Sequence, residues 1–266
     1  MKFGKSQLYT SSRFKRNPKL GRFIFSVFGY TSVGNFARSK IFLKLMKLMP
    51  YDKFEKIMDL GAGLGEYSFM LSENMPKSKI TSLEILDERV KILKETIENH
   101  DYPNVSVFPD KIDKLDANGT FDFIFSVDVF EHIKKEEMPF SECFKKLKPG
   151  GYLLIKMPNE VQKTVLPESL FEDQNEWLEH EHVGQVYDLE DLKNRFESEG
   201  FQIKHAYYTD GILSRIGWEL GYFGKKLGSV IHLLLLPICK FFIFLDNLSF
   251  GRKRGNSIQV IGIKPS

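Results

Sequence analysis

A glycine-rich turn between a strand and a helix constrains this chain more than any other feature of its sequence. Residues 56–66 read KIMDLGAGLGE, an apolar strand followed by three glycines and the start of a helix. Glycine adopts positive φ without steric cost and allows a ligand to approach the backbone, and the first N–H groups of a helix can bind that ligand. The spacing is GxGxG and not the GxGxxG of dinucleotide sites. The turn therefore predicts a ligand site without naming the ligand.

From this turn onward, strand-like and helix-like segments alternate. Such alternation, with helices of ten to fifteen residues, predicts βαβ units and a mainly parallel sheet. The predicted strands are 56–60, 79–85, 105–108, 121–127, 152–157, 201–208 and 257–263. The predicted helices between them are 65–74, 88–100, 136–147 and 188–199.

The composition is that of a globular protein, with 42% hydrophobic and 27% charged residues among 266. These values exclude a disordered chain, a collagen and a polytopic membrane protein. Cys143 and Cys239 are far apart and form no CxxC pair, so neither a disulfide scaffold nor a cysteine-rich zinc site is expected. The basic N-terminus has no continuous apolar stretch before a cleavage site, so no signal peptide is predicted and the cytoplasm is the expected compartment.

The two ends of the chain are basic and its middle is acidic, although the net charge is only +3. Residues 1–51 contain eleven Lys and Arg and no Asp or Glu, and residues 211–266 contain eight against two. This separation suggests a membrane surface, a nucleic acid or a phosphorylated substrate as partner, against the alternative of an ordinary solvated surface. Residues 1–30 predict a partly ordered aromatic arm with a short helix. Thr31 or Ser32 is a candidate cap for a following helix that ends near Met49.

Four motifs occur in a fixed order along the chain. They are 59–65 (DLGAGLG), Glu84 at the end of the second strand, Asp110 after the third, and 121–133 (FDFIFSVDVFEHI) followed by 147–159 (LKPGGYLLIKMPN). In these motifs the chain resembles the class I S-adenosylmethionine-dependent methyltransferases, and it is similar to their type 11 and quinone-precursor O-methyltransferase group. The resemblance covers roughly residues 54–208 and the last strand. It implies an α/β, Rossmann-like, seven-stranded and mainly parallel sheet with helices on both faces.

The resemblance also implies S-adenosyl-L-methionine as cofactor and assigns residues to it. Asp59 is expected near the amino group of the methionine part, Glu84 at the ribose, and Asp110 at the adenine amino group. The alternative is a Rossmann-like fold that binds another nucleotide or none. The full set expected at the cofactor is Asp59, Gly61, Ala62, Gly63, Gly65, Glu84, Ile85, Asp110, Lys111, Ser126 and Val127.

Two histidines are candidate catalytic bases. The reaction needs a base only where the acceptor loses a proton. His132 ends the run Asp128-x-x-Glu131-His132; in relatives that methylate hydroxyls, a similar run with a first Glu is associated with a divalent metal. The shorter Asp favours a role in supporting the loop, so no metal is predicted. His182 is a candidate base on the substrate side, or else a loop histidine that bonds the backbone.

Two aromatic residues are expected at the acceptor. Phe171 and Trp177 belong to the stretch 160–187, which would lie over the strand tips. They are predicted to line the acceptor pocket.

An apolar insertion separates the last two predicted strands, where this family usually has a tight hairpin. It covers 209–256, and its core, 227–239, is thirteen residues without a formal charge. A membrane span needs about 20 apolar residues, so the breaks at Pro237 and Lys240 disfavour a simple span but permit two short helices in the membrane interface, which is the favoured interpretation. A dimer interface or a lid on the protein's own core is the alternative. The predicted units are an arm at 1–50, a methyltransferase domain at 51–208 with 257–266, and the insertion.

The sequence therefore predicts methyl transfer to a small or lipid-linked acceptor, at an anionic membrane surface on the cytoplasmic side. An RNA methyltransferase that uses the basic arm is one alternative, but residues 126–129 (SVDV) lack the Asn/Asp-Pro-Pro-Tyr/Phe pattern of base-amino methylases. A non-catalytic cofactor-binding module is the other. A homodimer remains open.

Overall fold

A seven-stranded sheet forms the centre of the protein in this computed structural model, which describes residues 4–160, 163–171, 187–248 and 253–266. The strands are β1 (Lys56–Leu60), β2 (Lys79–Leu83), β3 (Val105–Phe108), β4 (Phe121–Val127), β5 (Leu147–Pro158), β6 (Gln202–Thr209) and β7 (Ser257–Ile263). Their order is β3-β2-β1-β4-β5-β7-β6. Only β7 pairs antiparallel, with β5 and with β6, so the predicted mainly parallel sheet is confirmed.

Helices cover both faces of the sheet, and alternate residues of β1 show why. The helices are α1 (Gln7–Thr10), α2 (Ser12–Arg16), α3 (Pro18–Phe28), α4 (Val33–Met46), α5 (Glu66–Asn74), α6 (Asp87–His100), α7 (Phe140–Lys146), α8 (Leu189–Ser198), α9 (Ile212–Leu227) and α10 (Ser229–Asn247). Ile57 packs with Phe42 of α4 and Phe69 of α5 on one face. Its neighbour Met58 packs with α7 and α8 on the other. A strand buried on both faces is typical of a parallel sheet between helical layers.

Two helix boundaries differ from the prediction for clear local reasons. The helix predicted over 136–147 begins only at Phe140, because Pro139 would clash with a preceding carbonyl inside a helix. The helix predicted to end near Met49 ends at Met46, and its start is capped by Ser32, whose hydroxyl accepts the Asn35 N–H at 3.3 Å.

The N-terminal arm is more ordered than predicted. Instead of one short helix it contains α1, α2 and α3, and it folds back onto α5. Glu66, the first residue of α5, accepts the Gly4 N–H at 3.0 Å and also bonds the hydroxyls of Ser6 and Tyr30. The arm therefore packs against the helix that follows the glycine turn.

The insertion before β7 forms two helices, but their boundary is not where the sequence suggested. The predicted break at Pro237 is wrong, since α10 continues through it. The chain instead turns at Gly228, whose φ is +121°. Lys240 also does not interrupt the helix, because its ammonium bonds the Phe28 carbonyl and lies 5.1 Å from the centre of the Phe36 ring. The division into an arm, a domain and an insertion stays a prediction.

Candidate active site

The three glycines of the turn have positive φ, and they serve two purposes. A Cβ on Gly61 would lie 2.5 Å from Val129, and one on Gly65 would lie 2.4 Å from Phe69. A Cβ on Gly63 would meet no described atom within 4 Å. Gly61 and Gly65 are therefore required by packing, whereas Gly63 faces open space that a side chain would fill.

Glu84 follows β2 and holds the glycine turn in place. One carboxylate oxygen accepts the Gly63 N–H at 2.8 Å, and the other accepts the N–H groups of Ile85 and Leu86 at 3.0 Å each. Each carboxylate oxygen has two acceptor positions, so the oxygen that accepts the Gly63 N–H retains one position for a hydroxyl donor. This arrangement fits the ribose contact that the family resemblance implies.

Asp59 lies at the buried end of β1 behind the turn. Its carboxylate accepts a hydrogen bond from the Ser68 hydroxyl at 2.7 Å. The Ser68 hydroxyl oxygen in turn accepts one from the Ser82 hydroxyl at 2.7 Å. Burial is the main cause that raises the pKa of Asp59 to about 7, against the opposing bonds from Ser68. A nearby ammonium group favours the ionised carboxylate, so this side chain is suited to the amino group of a bound methionine part.

A cavity of about 1590 Å³ opens from the turn. Of the predicted cofactor-binding and catalytic residues, nine line it: Asp59, Gly61, Ala62, Gly63, Glu84, Ile85, Lys111, Val127 and His132. The glycine turn, Glu84 and Asp59 thus face one cavity, in which the predicted cofactor could contact all three.

Three residues predicted at the cofactor lie outside the cavity lining. Gly65 packs beneath the turn, and the buried Ser126 donates its hydroxyl to the Leu60 carbonyl at 2.8 Å. Asp110 is exposed and accepts the Lys111 N–H at 2.7 Å. Asp113, further along the same loop, is in the cavity wall instead. The individual cofactor contacts stay predictions.

Beyond the cofactor end, an ionic cluster lies at the tips of β4 and β5. Asp128 accepts Lys156 Nζ at 2.8 Å and Arg38 Nε at 2.5 Å. Burial opposes ionisation of Asp128, but these two cations lower its pKa below the usual value. Burial, and then the charge of Asp128, raise the pKa of Glu131 to about 8. The cavity therefore holds a carboxylate that two cations keep ionised beside a carboxyl whose pKa is raised.

The sequence argument missed both cations of this cluster. Lys156 had a signal, because a lysine inside the apolar run LLIKMP of a buried strand requires a partner. Arg38 had none, since it comes from α4 and meets Asp128 only through the tertiary fold.

His132 lies in a 3₁₀ turn that follows β4, in the cavity wall beside Glu131. His182 and Trp177 lie outside the described residues. Phe171 is buried in the cavity wall, with ring centroids 6.0 Å from Trp218 of α9. Phe171 and Trp218 therefore form an aromatic part of the cavity wall, and the acceptor pocket stays a prediction.

The insertion also contributes to the cavity. Arg215 of α9 donates to Glu219 at 2.8 Å, and its guanidinium lies 4.5 Å from the centre of the Trp218 ring. The buried Glu219 also accepts the N–H groups of Val165 and Leu166. Thus α9 is joined to the loop after β5 and is part of the site.

Comparison with known proteins supports the resemblance to methyltransferases. Residues 34–206 match the methyltransferase domain family. Phosphoethanolamine N-methyltransferase 1 of Arabidopsis thaliana is 29% identical over 187 residues, which cover 69% of this chain and 34% of that protein. Malonyl-[acyl-carrier protein] O-methyltransferase 2 of Ilyobacter polytropus is 30% identical over 98 residues, which cover 37% of each chain. The match spans only about a quarter to a third of the length of the phosphoethanolamine N-methyltransferases of Arabidopsis thaliana and Triticum aestivum.

Solved structures show the same fold. Phosphoethanolamine N-methyltransferase 2 of Haemonchus contortus, in complex with phosphomonomethylethanolamine and S-adenosylhomocysteine, aligns with a TM-score of 0.61 at 20% identity, over 100% of this chain and 61% of that one. A putative sarcosine dimethylglycine methyltransferase of Galdieria sulphuraria aligns with a TM-score of 0.55 at 18% identity, over 91% and 96%. The chain belongs to the methyltransferase domain family, which confirms the predicted class I S-adenosylmethionine-dependent methyltransferase and its Rossmann-like fold.

Proposed function

We propose that this protein transfers the methyl group of S-adenosylmethionine to a small or lipid-linked acceptor at a membrane surface. The observation that carries the proposal is the turn at 61–65, which is bonded to Glu84 and opens at Gly63 into the cavity. This is a cradle for a ligand with a hydroxylated sugar and a neighbouring ammonium group. Those two groups are the ones that Glu84 and Asp59 are placed to bind.

The bound cofactor supplies a methyl group that is already activated by a positively charged sulfur. The residues of this chain then have to hold the acceptor in line, and positioning alone can lower a barrier by roughly 7–11 kcal/mol. Asp128 is held by ion pairs with Lys156 and Arg38. It lines the cavity and offers the acceptor a polar wall.

His132 is the proposed base for an acceptor that must lose a proton, because it lines the same cavity. Replacing it with Ala should lower the turnover rate and leave the cofactor affinity nearly unchanged. Activity that is sensitive to a chelator and restored by a divalent ion would instead favour the metal role. His182 is the other candidate base, and His182→Ala tests it in the same way.

The acceptor class and the membrane location rest on two further observations. Relatives are named for small acceptors such as phosphoethanolamine, and residues of α9 and α10 leave large apolar side chains exposed, among them Ile212, Leu227 and Leu234. A cytoplasmic protein with such a surface and basic ends is suited to peripheral attachment at the cytoplasmic membrane face.

The test is transfer of radiolabelled methyl groups from S-adenosylmethionine into lipid extracts and small metabolites. Wild type should label a product in one of these fractions, and Gly63→Arg should not. Label in RNA would favour the basic arm as an RNA-binding element. Cofactor binding without any labelled product would make the chain a non-catalytic binding module.

A further inference from the structure

We propose that α3 and α10 together form one face that lies in the plane of an anionic phospholipid bilayer without crossing it. The inference rests on the proposed function for its purpose, namely access to the acceptor, and deepens it by naming the partner surface. It is argued from exposure, charge and the contacts that join the two helices.

The exposed side of α10 and the residue after it form a continuous apolar stripe. Its members recur every three or four residues and therefore share one side of the helix. They are Val230, Leu234, Ile238, Phe241, Phe244 and Leu248. The opposite side, with Leu236, Cys239 and Ile243, is buried in the protein. The helix thus carries apolar side chains on both sides, and only one of those sides has a partner among the described residues.

Both charged side chains of α10 point away from this stripe. Lys240 bonds the Phe28 carbonyl, and the buried Asp246 accepts the Gly211 N–H at 2.9 Å. The stripe therefore carries no formal charge, as burial in acyl chains requires.

The arm adds a second apolar stripe beside the first. Leu20, Phe23 and Val27 of α3 are 51–63% exposed and lie on one side of that helix. The end of α3 is joined to α10 by the Lys240 contact. The segment that follows α3 is joined by His232, whose Nε2 lies 2.8 Å from the Thr31 carbonyl oxygen. These two contacts hold segments about two hundred residues apart side by side.

Exposed bases flank these stripes in the sequence. Lys19 and Arg22 belong to α3, Lys225 and Lys226 end α9 just before α10, and Lys253 follows α10. Basic side chains beside an uncharged apolar face match phosphate headgroups above acyl chains. A second copy of this chain would bring its own bases against the same bases, so a lipid surface fits better than a homodimer.

The helix lies along the body and does not leave it. By length and mean hydropathy (1.9), α10 is the single candidate membrane span in the described part of the chain, and 28% of that window is buried in the protein. Its two ends are tied to segments outside the insertion: His232 Nε2 lies 2.8 Å from the Thr31 carbonyl oxygen, and Lys44 donates to the Asn247 carbonyl at 2.5 Å. A helix that crossed the bilayer would have to break these contacts.

The docked face is close to the site. Helices α4 and α9 pack on α10, and the same two helices supply Arg38 and Arg215 to the cavity wall. A bilayer under α3 and α10 would therefore lie one helix layer away from the acceptor end of the cavity.

The experiment is sedimentation of the full chain with vesicles of phosphatidylglycerol and phosphatidylcholine, and with phosphatidylcholine alone. Wild type should bind the mixed vesicles, and a wash at about 0.5 M salt should release it because headgroup attraction is screened. The double variant Leu234→Gln/Phe241→Gln should lower the partition coefficient about 100-fold, and Phe23→Gln should lower it about tenfold. The control Leu170→Gln, at an exposed position elsewhere, should change it less than about twofold. Lys19→Gln/Arg22→Gln should cost about 20-fold, and the equally charged control Lys91→Gln/Lys94→Gln little.

Thermal unfolding and calorimetric binding of S-adenosylmethionine are measured on every variant. Because Lys19 and Arg22 are exposed, their variant keeps the test valid even if an apolar variant misfolds. Folded wild type that ignores the mixed vesicles would overturn the proposal. So would bound protein that resists both salt and carbonate washes, or a dimer in ultracentrifugation that Leu234→Gln/Phe241→Gln dissociates. Vesicle binding without cofactor binding would contradict the proposed function and leave the docking face in place.

Discussion

At the cofactor end of the cavity, the glycine turn and its two carboxylates all lie within residues 59–84, whereas the acceptor end is assembled from distant segments. Arg38, Asp128, Lys156 and Arg215 come from α4, the tip of β4, β5 and α9. The first end is fixed by backbone conformation and local hydrogen bonds, and the second by ion pairs that exist only in the folded chain. This difference implies that substitutions at the two ends should fail in different ways.

The largest expected loss is at the acceptor end. Asp128→Ala leaves Lys156, 4% exposed, without its carboxylate, and breaking a buried ion pair costs about 3–5 kcal/mol in the free energy of unfolding. Arg38→Ala removes the other partner, which is 45% exposed, and should cost at most about 1 kcal/mol. Urea denaturation of both variants measures the two losses in the free energy of unfolding. Equal losses would mean that the cluster is held by Arg38 and not by the buried lysine.

At the cofactor end, two neighbouring glycines should respond unequally. Gly65→Ala has a positive φ and a Cβ 2.4 Å from Phe69, so the free energy of unfolding should fall by about 2–4 kcal/mol. Gly63→Ala has only the cost of its φ, about 1–2 kcal/mol, because its Cβ meets open space. Denaturation curves of the pair compare them directly. A greater loss for Gly63 would contradict the division between packing and ligand approach.

A pH effect should separate the two ends further. The pKa of Asp59 is raised by burial to about 7, so between about pH 4 and 7 the folded state holds a proton that the unfolded state releases. The free energy of unfolding therefore falls as pH rises through this window, by up to about 1.4 kcal/mol per pH unit. Asp59→Asn should flatten this slope. Glu131→Gln should remove the part that continues to about pH 8. A wild-type slope that both variants leave unchanged would show that other groups cause it.

The smallest expected effect lies in the helix that joins the arm to the site. Ser32→Ala removes the side-chain cap of α4 and should cost about 0.5–1 kcal/mol in thermal unfolding, because one helix N–H loses its partner. Ser32→Asn, which can cap in the same way, should be near wild type. If the two variants unfold alike, the cap does not stabilise α4.

The same contrast explains what the sequence could predict. Strand β1, the glycine turn and Glu84 follow from local patterns, because positive φ and buried strands have direct residue preferences. The start of α7 was missed although Pro139 gave a local reason for it. The continuity of α10 through Pro237 could not be predicted, since its buried side packs on α4 and α9 and tertiary packing overrides the preference of proline. Arg38 was missed because ninety residues of chain separate it from Asp128.

The most direct test of the central assignment is a calorimetric titration of S-adenosylmethionine into the purified full chain and into Gly63→Arg. The cradle at Gly63 is open to the cavity, so an arginine there should fill the ligand space while Gly63→Ala confirms that the fold tolerates a side chain. We expect wild type to bind the cofactor and its demethylated product, and Gly63→Arg to bind neither. Undiminished binding by folded Gly63→Arg, or tighter binding of NAD than of S-adenosylmethionine by wild type, would contradict the assignment.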